Sequence, residues 1–551
     1  MRTVGQAGGR ADGLSARRAG GQTGRRADGQ TGGRAGVRAV RRAGKQAVDR
    51  MLTLLPSLLT LKSVIIGAVA GLLGYWLIRR MRYKLPPGPL PIPLIGNLLQ
   101  LKDCFWHEKF HEWAKKHGPV ISVYMGPQRW TILNTIEVVH EALVTKANDF
   151  ANRPKTPSTD VFTDGGKDIA LGEFGPCWRL HRKISSNALR HYMMGEHLEL
   201  RIHNAVDIVS NVLTKEKEAV DPKKYVDFLV FNIICGFCYG KSYDIDDPEF
   251  LWIMNEMDTI NKTFGDGMLE DIVPLLQYFP TQSFRKLEKD LDALKMKAGY
   301  EKFREHENTF DPDNIRDFTD CLIKARKEAE EEEGGQEVVS NLTETHLVQT
   351  LMDIFFAGFD TTRFTTNWVM LHMAAFPEIQ AKVHEEIDRV VGKERPPQLA
   401  DRPRLSYTEA VLHESMRLGT AVPLGLIHTT TCNTTVGGCD VPKGSMVAIN
   451  HWALHHDPDA WKEPNRFIPE RFLNEDGKLG PKPKNWLPFS AGRRVCLGES
   501  VAKPELHLVF ASLMQKFKVR MPLGIHADLS SSGNSFSGFP KPNNVLFEAR
   551  T

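Results

Sequence analysis

The twenty-eight residues from Met51 to Ile78, MLTLLPSLLTLKSVIIGAVAGLLGYWLI, carry one charge, Lys62. So long an apolar run must be hidden from water. About 20 apolar residues span a bilayer as a helix, so residues 51–80 are expected to form one transmembrane anchor. Tyr75 and Trp76 lie near its end, where interfacial aromatics belong, and Arg79, Arg80, Arg82 and Lys84 follow at once. This basic flank places the rest of the chain on the cytosolic side. A cleaved secretory signal is the rival reading, but no small-residue cleavage site precedes the arginines.

Residues 1–50 hold eleven Arg and one Lys against three Asp. The whole chain of 551 residues has a net charge of +4, so the other 501 residues carry −5. A global basic surface for nucleic acid is thereby excluded. The tail's Gly/Ala/Arg/Gln/Thr vocabulary cannot bury enough apolar surface to offset its ordering entropy, so it is expected to be disordered. A +9 tail would also compete with the Arg79–Lys84 flank for the cytosolic side, which makes Met51 the expected biological start. Residues 81–99 include Pro86, Pro87, Pro89, Pro91 and Pro93. This run excludes helix and predicts a stiff extended hinge. Residues 100–551 are expected to form one catalytic domain.

From residue 100 the text is mostly helical, as over Lys109–His117, Asp227–Gly240 and Pro377–Val391. Short β-rich runs are fewer: Val120–Tyr124, Thr131–Asn134, Thr429–Val436, Met446–Asn450 and Val545–Glu548. The expected fold class is α+β, mainly α. Lys324–Glu337 reads as a solvated charged linker. Eight cysteines in 551 residues exclude a disulfide scaffold. Cys235 and Cys238 sit in an apolar run with no second ligand pair, so they read as inert core thiols.

Phe489-Ser490-Ala491-Gly492-Arg493-Arg494-Val495-Cys496-Leu497-Gly498-Glu499 carries the chemistry. Gly492 and Gly498 permit close backbone approach to a flat partner. Arg494 would pair with an anionic group. A helix beginning after Cys496 would bring amide donors to its sulfur and favour the thiolate. A second segment, Leu342–Phe376, reads as one long helix with Asn341 and Glu344 as a capping pair and Pro377 as its stop. Inside it lies Ala357-Gly358-Phe359-Asp360-Thr361-Thr362.

F-x-x-G-x-R-x-C-x-G resembles the cysteine loop of the cytochrome P-450 superfamily, and A-G-x-D-T-T resembles that family's oxygen-handling helix. The resemblance covers about residues 90–551. It implies a haem-thiolate monooxygenase fold with a long kinked central helix and small β-sheets. Cys496 would ligate the iron of haem b, and Phe489 and Gly498 would flank the cofactor. Trp178 and Arg182, in Trp178-Arg179-Leu180-His181-Arg182, would join Arg494 and His428 in holding the propionates. Asp360 and Thr361 would deliver protons. Glu414, Arg417 and Arg471 would form a structural network that braces the cysteine loop.

No dinucleotide fingerprint lies between a strand and a helix, so electrons from NADPH would arrive through a flavoprotein reductase, with cytochrome b5 as a second donor. His181, Arg182, Lys183, Arg493, Arg494 and Lys503 would supply its docking cations. The anchor, the hinge and Ile449–Pro458 resemble the animal microsomal members, with the steroid-hydroxylating kind a nearer expectation than the aryl-hydrocarbon kind. These imply an endoplasmic-reticulum membrane location and a small apolar substrate. Segments 156–163, 255–264, 355–361, 421–427 and 534–539 are expected to line its pocket. Two other classes stay open: a haem-thiolate isomerase or dehydratase, and a non-enzymatic haem sensor. Neither would need a reductase or O2. Pro504 departs from the pattern and is expected to kink the helix after Cys496.

Overall fold

The computed structural model describes residues 44–50, 62–67, 70–71, 74, 83–193, 197–331, 342–532 and 536–550. The chain divides into two units, Met1–Tyr83 and Lys84–Thr551. In the first unit residues 44–50 and 62–67 are helical and exposed. Most of the expected anchor and tail lies outside the described residues. Among the described residues, no helix is long and apolar enough to cross a membrane.

Among the described residues the second unit is helical with three small sheets. The helices that position the site are α1 (Trp106–His117), α2 (Pro176–Met193), α3 (Pro222–Tyr239), α4 (Pro248–Asp266), α5 (Glu344–Ala375), α6 (Ser406–Gly419) and α7 (Glu499–Lys516). Helix α3 begins where the Asp221 carboxylate accepts from the Lys223 amide and Pro222 occupies the first turn. It ends at Gly240, whose φ of 63° only glycine adopts without strain. Nearly every residue between is buried, so α3 is a core helix and not an amphipathic one.

Helix α5 runs unbroken for 32 residues and packs against α3, α6 and α7. At about 1.5 Å per residue it crosses the whole domain. A Cβ at Gly358 would sit 2.7 Å from Ile234 Cδ1 of α3, so this glycine lets the two helices approach closely. The cap differs from the expected Asn341–Glu344 pair. Thr343 stands at the N-cap, its hydroxyl spent on His346 Nδ1 at 2.8 Å, and Asn341 lies outside the described residues.

The main sheet has the order β1-β2-β6-β3, built from β1 (Val120–Met125), β2 (Gln128–Leu133), β3 (His428–Thr429) and β6 (Met446–Ile449). β1 and β2 form a hairpin, and β6 runs parallel to β2. The expected strand Thr429–Val436 is split. Its start is β3, while its end is β4 (Thr434–Val436), which pairs with β5 (Cys439–Val441). β7 (Phe517–Arg520) pairs with β8 (Leu546–Ala549). From Lys84 onward the Pro-rich segment is laced onto the sheet. The Ser122 amide donates to Pro87 O at 2.8 Å, and the Tyr124 amide donates to Asn97 Oδ1 at 2.8 Å.

Lys324–Glu331 is not the expected linker; it completes the helix Phe318–Glu331, and the remainder of that charge run lies outside the described residues. Cys235 and Cys238 are fully buried in α3, and burial pushes both thiols well above their ordinary range.

Candidate functional site

The Cys496 loop is shaped by two residues with positive φ, Ser490 at 58° and Gly492 at 76°. A Cβ on Gly492 would collide with the Leu143 carbonyl, so glycine is required there on two counts. The loop closes where the Cys496 amide donates to Phe489 O at 3.0 Å. The Phe489 ring lies under Lys503 Nζ, 5.0 Å from its centroid. Helix α7 starts at Glu499, and the amides of Gly498 and Glu499 face the Cys496 sulfur. The helix continues without interruption through Pro504.

Cys496 is solvent-accessible, yet protein surrounds it on nearly every side. Both are true of a thiol that faces an interior cleft. Burial is the dominant influence on it and pushes the thiol pKa up; the Gly498 and Glu499 amides and Arg182 pull it back only in part. The amides at the helix start do favour the thiolate, as expected, but burial outweighs them. Within the protein alone desolvation wins, and a bound metal ion is what would reverse the balance.

Beside the cysteine lies a cluster of guanidiniums. Arg182 donates to the Val495 carbonyl. Arg494 donates to Ala151 O at 2.7 Å, Gly172 O at 2.6 Å and Ile169 O at 3.3 Å, and its guanidinium lies 4.0 Å from the Trp178 ring centroid. The Trp178 indole donates to Ile169 O at 2.9 Å. A third member, Arg153, was not among the sequence candidates. It donates to Leu426 O at 2.7 Å, Ile427 O at 3.0 Å and Ala170 O at 3.1 Å. A lone arginine in a loop has no readable spacing, so only the fold reveals it.

His428, buried on β3, donates from Nδ1 to Phe150 O at 2.7 Å. Burial first, and then Arg153, hold its pKa well below the usual imidazole range. The structure thus gathers Trp178, Arg182, His428 and Arg494 with Arg153. Burial and the charge of neighbouring arginines lower the pKa of Arg153 and Arg494, and among the described residues Asp168 is the only carboxylate acting on both. Such a positive cluster, beside a thiol in a cleft, suits a flat metal complex with two acidic side arms.

On α5, Ala357 is exposed and Thr361 half-buried in a helix that is otherwise mostly hidden, so one strip of it also opens to a cleft. The Thr361 hydroxyl donates to Ala357 O at 2.8 Å, the i−4 bond expected of a mid-helix threonine. Asp360 points elsewhere. Its carboxylate accepts from Arg363 Nε at 3.0 Å and from Asn261 Nδ2 of α4 at 2.9 Å. Burial dominates and raises the Asp360 pKa, against the opposing charge of Arg363. Three of the expected pocket segments meet in an aromatic cluster. Phe162 lies 5.6 Å from Phe264 and 5.4 Å from Phe356, centroid to centroid. Residues 534 and 535, in the last expected pocket segment, lie outside the described residues.

The bracing network is intact. Arg417, fully buried, donates to Glu414 at 2.7 and 2.8 Å, and Arg471 Nε donates to Glu414 at 3.1 Å. Arg417 also donates to His455 O at 2.6 Å, and His455 Nε2 accepts from the Leu487 amide at 3.1 Å, just before the cysteine loop.

The expected docking cations are only partly available. His181 is buried against Thr350, and burial holds its pKa down at about 4, so it is no surface cation. Arg182 and Arg494 are turned inward, and Lys503 is paired with Glu499. Lys183 and Arg493 are exposed.

Comparison with known proteins agrees with this site. The sequence profile described as cytochrome P450 matches residues 86–547. Steroid 17-alpha-hydroxylase/17,20 lyase of Squalus acanthias is 36% identical over 450 residues, covering 80% of this chain and 88% of that protein. Cytochrome P450 2U1 of Mus musculus is 34% identical over 514 residues, covering 89% and 95%. A solved structure described as a zebra fish cytochrome P450 with progesterone superposes with a TM-score of 0.73 at 31% identity, covering 81% of this chain and all of that one.

Proposed function

This chain belongs to the cytochrome P450 family and is a monooxygenase of it; from that premise we propose that it is a membrane-anchored haem-thiolate enzyme of the endoplasmic reticulum, with its catalytic domain in the cytosol, that inserts one oxygen atom of O2 into an apolar, steroid-like substrate. Its electrons come from NADPH through a flavoprotein reductase, with cytochrome b5 as an auxiliary donor. The observation that carries this reading is an accessible thiol inside the protein, beside three arginines that, among the described residues, face one carboxylate, Asp168.

In this reading Cys496 would bind the iron. Arg153, Arg182, Arg494, Trp178 and His428 would hold the two propionates, and Phe489 and Gly498 would border the cofactor. When bound, haem supplies the activation of O2, with thiolate donation favouring O–O cleavage. The protein supplies the rest. Thr361 holds a proton on its hydroxyl, poised on the Ala357 carbonyl. Asp360 stores or relays one from its bonds to Arg363 and Asn261. Phe162, Phe264 and Phe356 exclude water and favour an apolar ligand. The steroid preference rests on the relatives that carry that description, and pocket shape alone would serve other apolar ligands.

Membrane contact is supported by the second unit itself. Leu90, Leu94, Leu99, Leu269, Leu275, Tyr278 and Phe279 are exposed large hydrophobics. Their two segments converge on the β1–β2 turn, where Gly126 faces Ile272 and Gly96 bridges to Met125. An apolar surface of this kind suits a lipid interface. For the reductase, exposed Lys183 and Arg493 form the docking edge, and charge reversal at both should weaken salt-dependent coupling.

The test is product formation in vesicles with NADPH, reductase and O2, after a panel of steroids, fatty acids and polycyclic compounds has been ranked by spin-state shift. Oxygenated product that disappears when either reductase or O2 is omitted supports the reading. Turnover independent of both would assign an isomerase or dehydratase instead, and haem binding with no turnover would assign a sensor.

A further inference from the structure

Residues Asp168–Gly172 form a short loop whose carbonyls bond two of the three arginines, Arg153 and Arg494. Its carbonyls take Trp178 and Arg494 on Ile169, Arg153 on Ala170, and Arg494 again on Gly172. Its amides at Ile169 and Ala170 donate to Asp353 Oδ2 of α5, at 2.7 and 3.2 Å. Two carboxyl groups, Asp168 and Asp353, are thus buried at one hub.

They differ in surroundings. Asp353 meets backbone amides and the charge of Asp168, with no cation acting on it, and burial raises its pKa well above the usual carboxylate range. Asp168 sits in the field of Arg153 and Arg494, yet burial still raises its pKa, to about 6, against the pull of the Leu171 amide and the charge of Arg494. Its Oδ2 accepts from the Leu171 amide at 2.6 Å, while its Oδ1 is buried without a hydrogen-bond partner. Neither guanidinium bonds it directly, because each is spent on carbonyls. His428 stands nearby as a neutral ring. With Asp168 ionised and Asp353 protonated, the three arginines of the hub leave a surplus of two positive charges. That surplus equals the charge of two propionates.

We propose that Asp168 is a positioning residue that acts as the built-in counter-ion of the third arginine, so that the haem site is electrically balanced and its ferric state favoured, while Asp353 stays neutral and only anchors the loop. This inference rests on the cofactor reading above. Removing a negative charge near the porphyrin favours the added electron of the ferrous state. A purely structural role would treat the two aspartates alike, since both hold the same loop.

The experiment is a spectroelectrochemical titration of the full-length holoenzyme, in which ferric iron takes one electron from a mediator dye. Asp168→Asn should shift the midpoint to higher potential, and Asp168→Glu should leave it in place. Asp353→Asn, which is neutral and of the same shape, should not move it. An unmoved midpoint in Asp168→Asn, or an equal shift in Asp353→Asn, would overturn the assignment. Should Asp168→Asn not fold, the Asp353→Asn midpoint still decides, because an upward shift there would place the ionised charge on the wrong residue. The ferrous carbonyl spectrum keeps the two levels apart. A thiolate-type band with an unmoved midpoint defeats only the counter-ion, whereas no such band in the wild type defeats the cofactor reading itself.

Discussion

At the scale of single residues, two positions show where chemistry leaves no choice. Gly492 has both a left-handed φ and a carbonyl where its Cβ would be. Gly492→Ala is expected to distort the Cys496 loop, at a cost above about 3 kcal/mol, and to lose bound haem before the rest of the fold melts. Absorbance and circular dichroism followed on one thermal ramp would check that order. Glu414 is fully buried between Arg417 and Arg471. Glu414→Ala strands two guanidiniums and should destabilise by about 3–5 kcal/mol, read as a lowered unfolding midpoint in urea. The sequence made the motif residues legible because their spacing is rigid. Cys496, Arg494, Trp178, Arg182 and His428 lie near one another in the fold. Arg153 and Asp168 were illegible, since each acts through a loop whose path only tertiary packing sets. His181 was misread for a related reason: in a helix, exposure depends on which neighbour covers that face, and α5 covers it through Thr350.

At the scale of elements, helix identity was legible and boundaries less so. α5 follows its apolar text from end to end, but its cap is Thr343, because a cap depends on local backbone geometry and not on composition. Strands were harder. The run Thr429–Val436 divides between two sheets, since short β segments take their partners from distant chain. Ion pairs between elements carry a pH signature. His306 in the helix Glu301–Asn308 bonds Asp317 at 2.8 Å, just before the helix Phe318–Glu331. Burial alone would lower its pKa, but the bond and charge of Asp317 outweigh burial and leave it raised. Its contribution to stability is whole below the unfolded value of about 6.5 and is lost as pH rises through the folded one. Asp401 runs the other way. The Arg395 hydrogen bond leads the influences that hold it down at about 2, so its contribution is present above the unfolded value of about 3.8 and fades as pH falls towards 2. The gap in melting temperature between wild type and His306→Gln should therefore be wider near pH 6 than near pH 8, as scanning calorimetry would show; a gap independent of pH would contradict the assignment.

For the whole molecule, a cysteine loop, a cluster of arginines and the long helix α5 stand in one helical domain of a cytochrome P450. Its exposed apolar segments at 90–99 and 269–279 predict that a chain lacking residues 1–83 still associates with phospholipid vesicles, and that Leu275→Asp with Phe279→Asp weakens this several-fold in a flotation assay. The expected anchor rests on an apolar run alone, most of which lies outside the described residues. The central claim is one bond, from Cys496 sulfur to iron. The most direct test is the ferrous carbonyl difference spectrum of purified holoenzyme beside Cys496→Ala. The account predicts a thiolate-type band near about 450 nm in the wild type and its loss in the variant; the same band in both would contradict it.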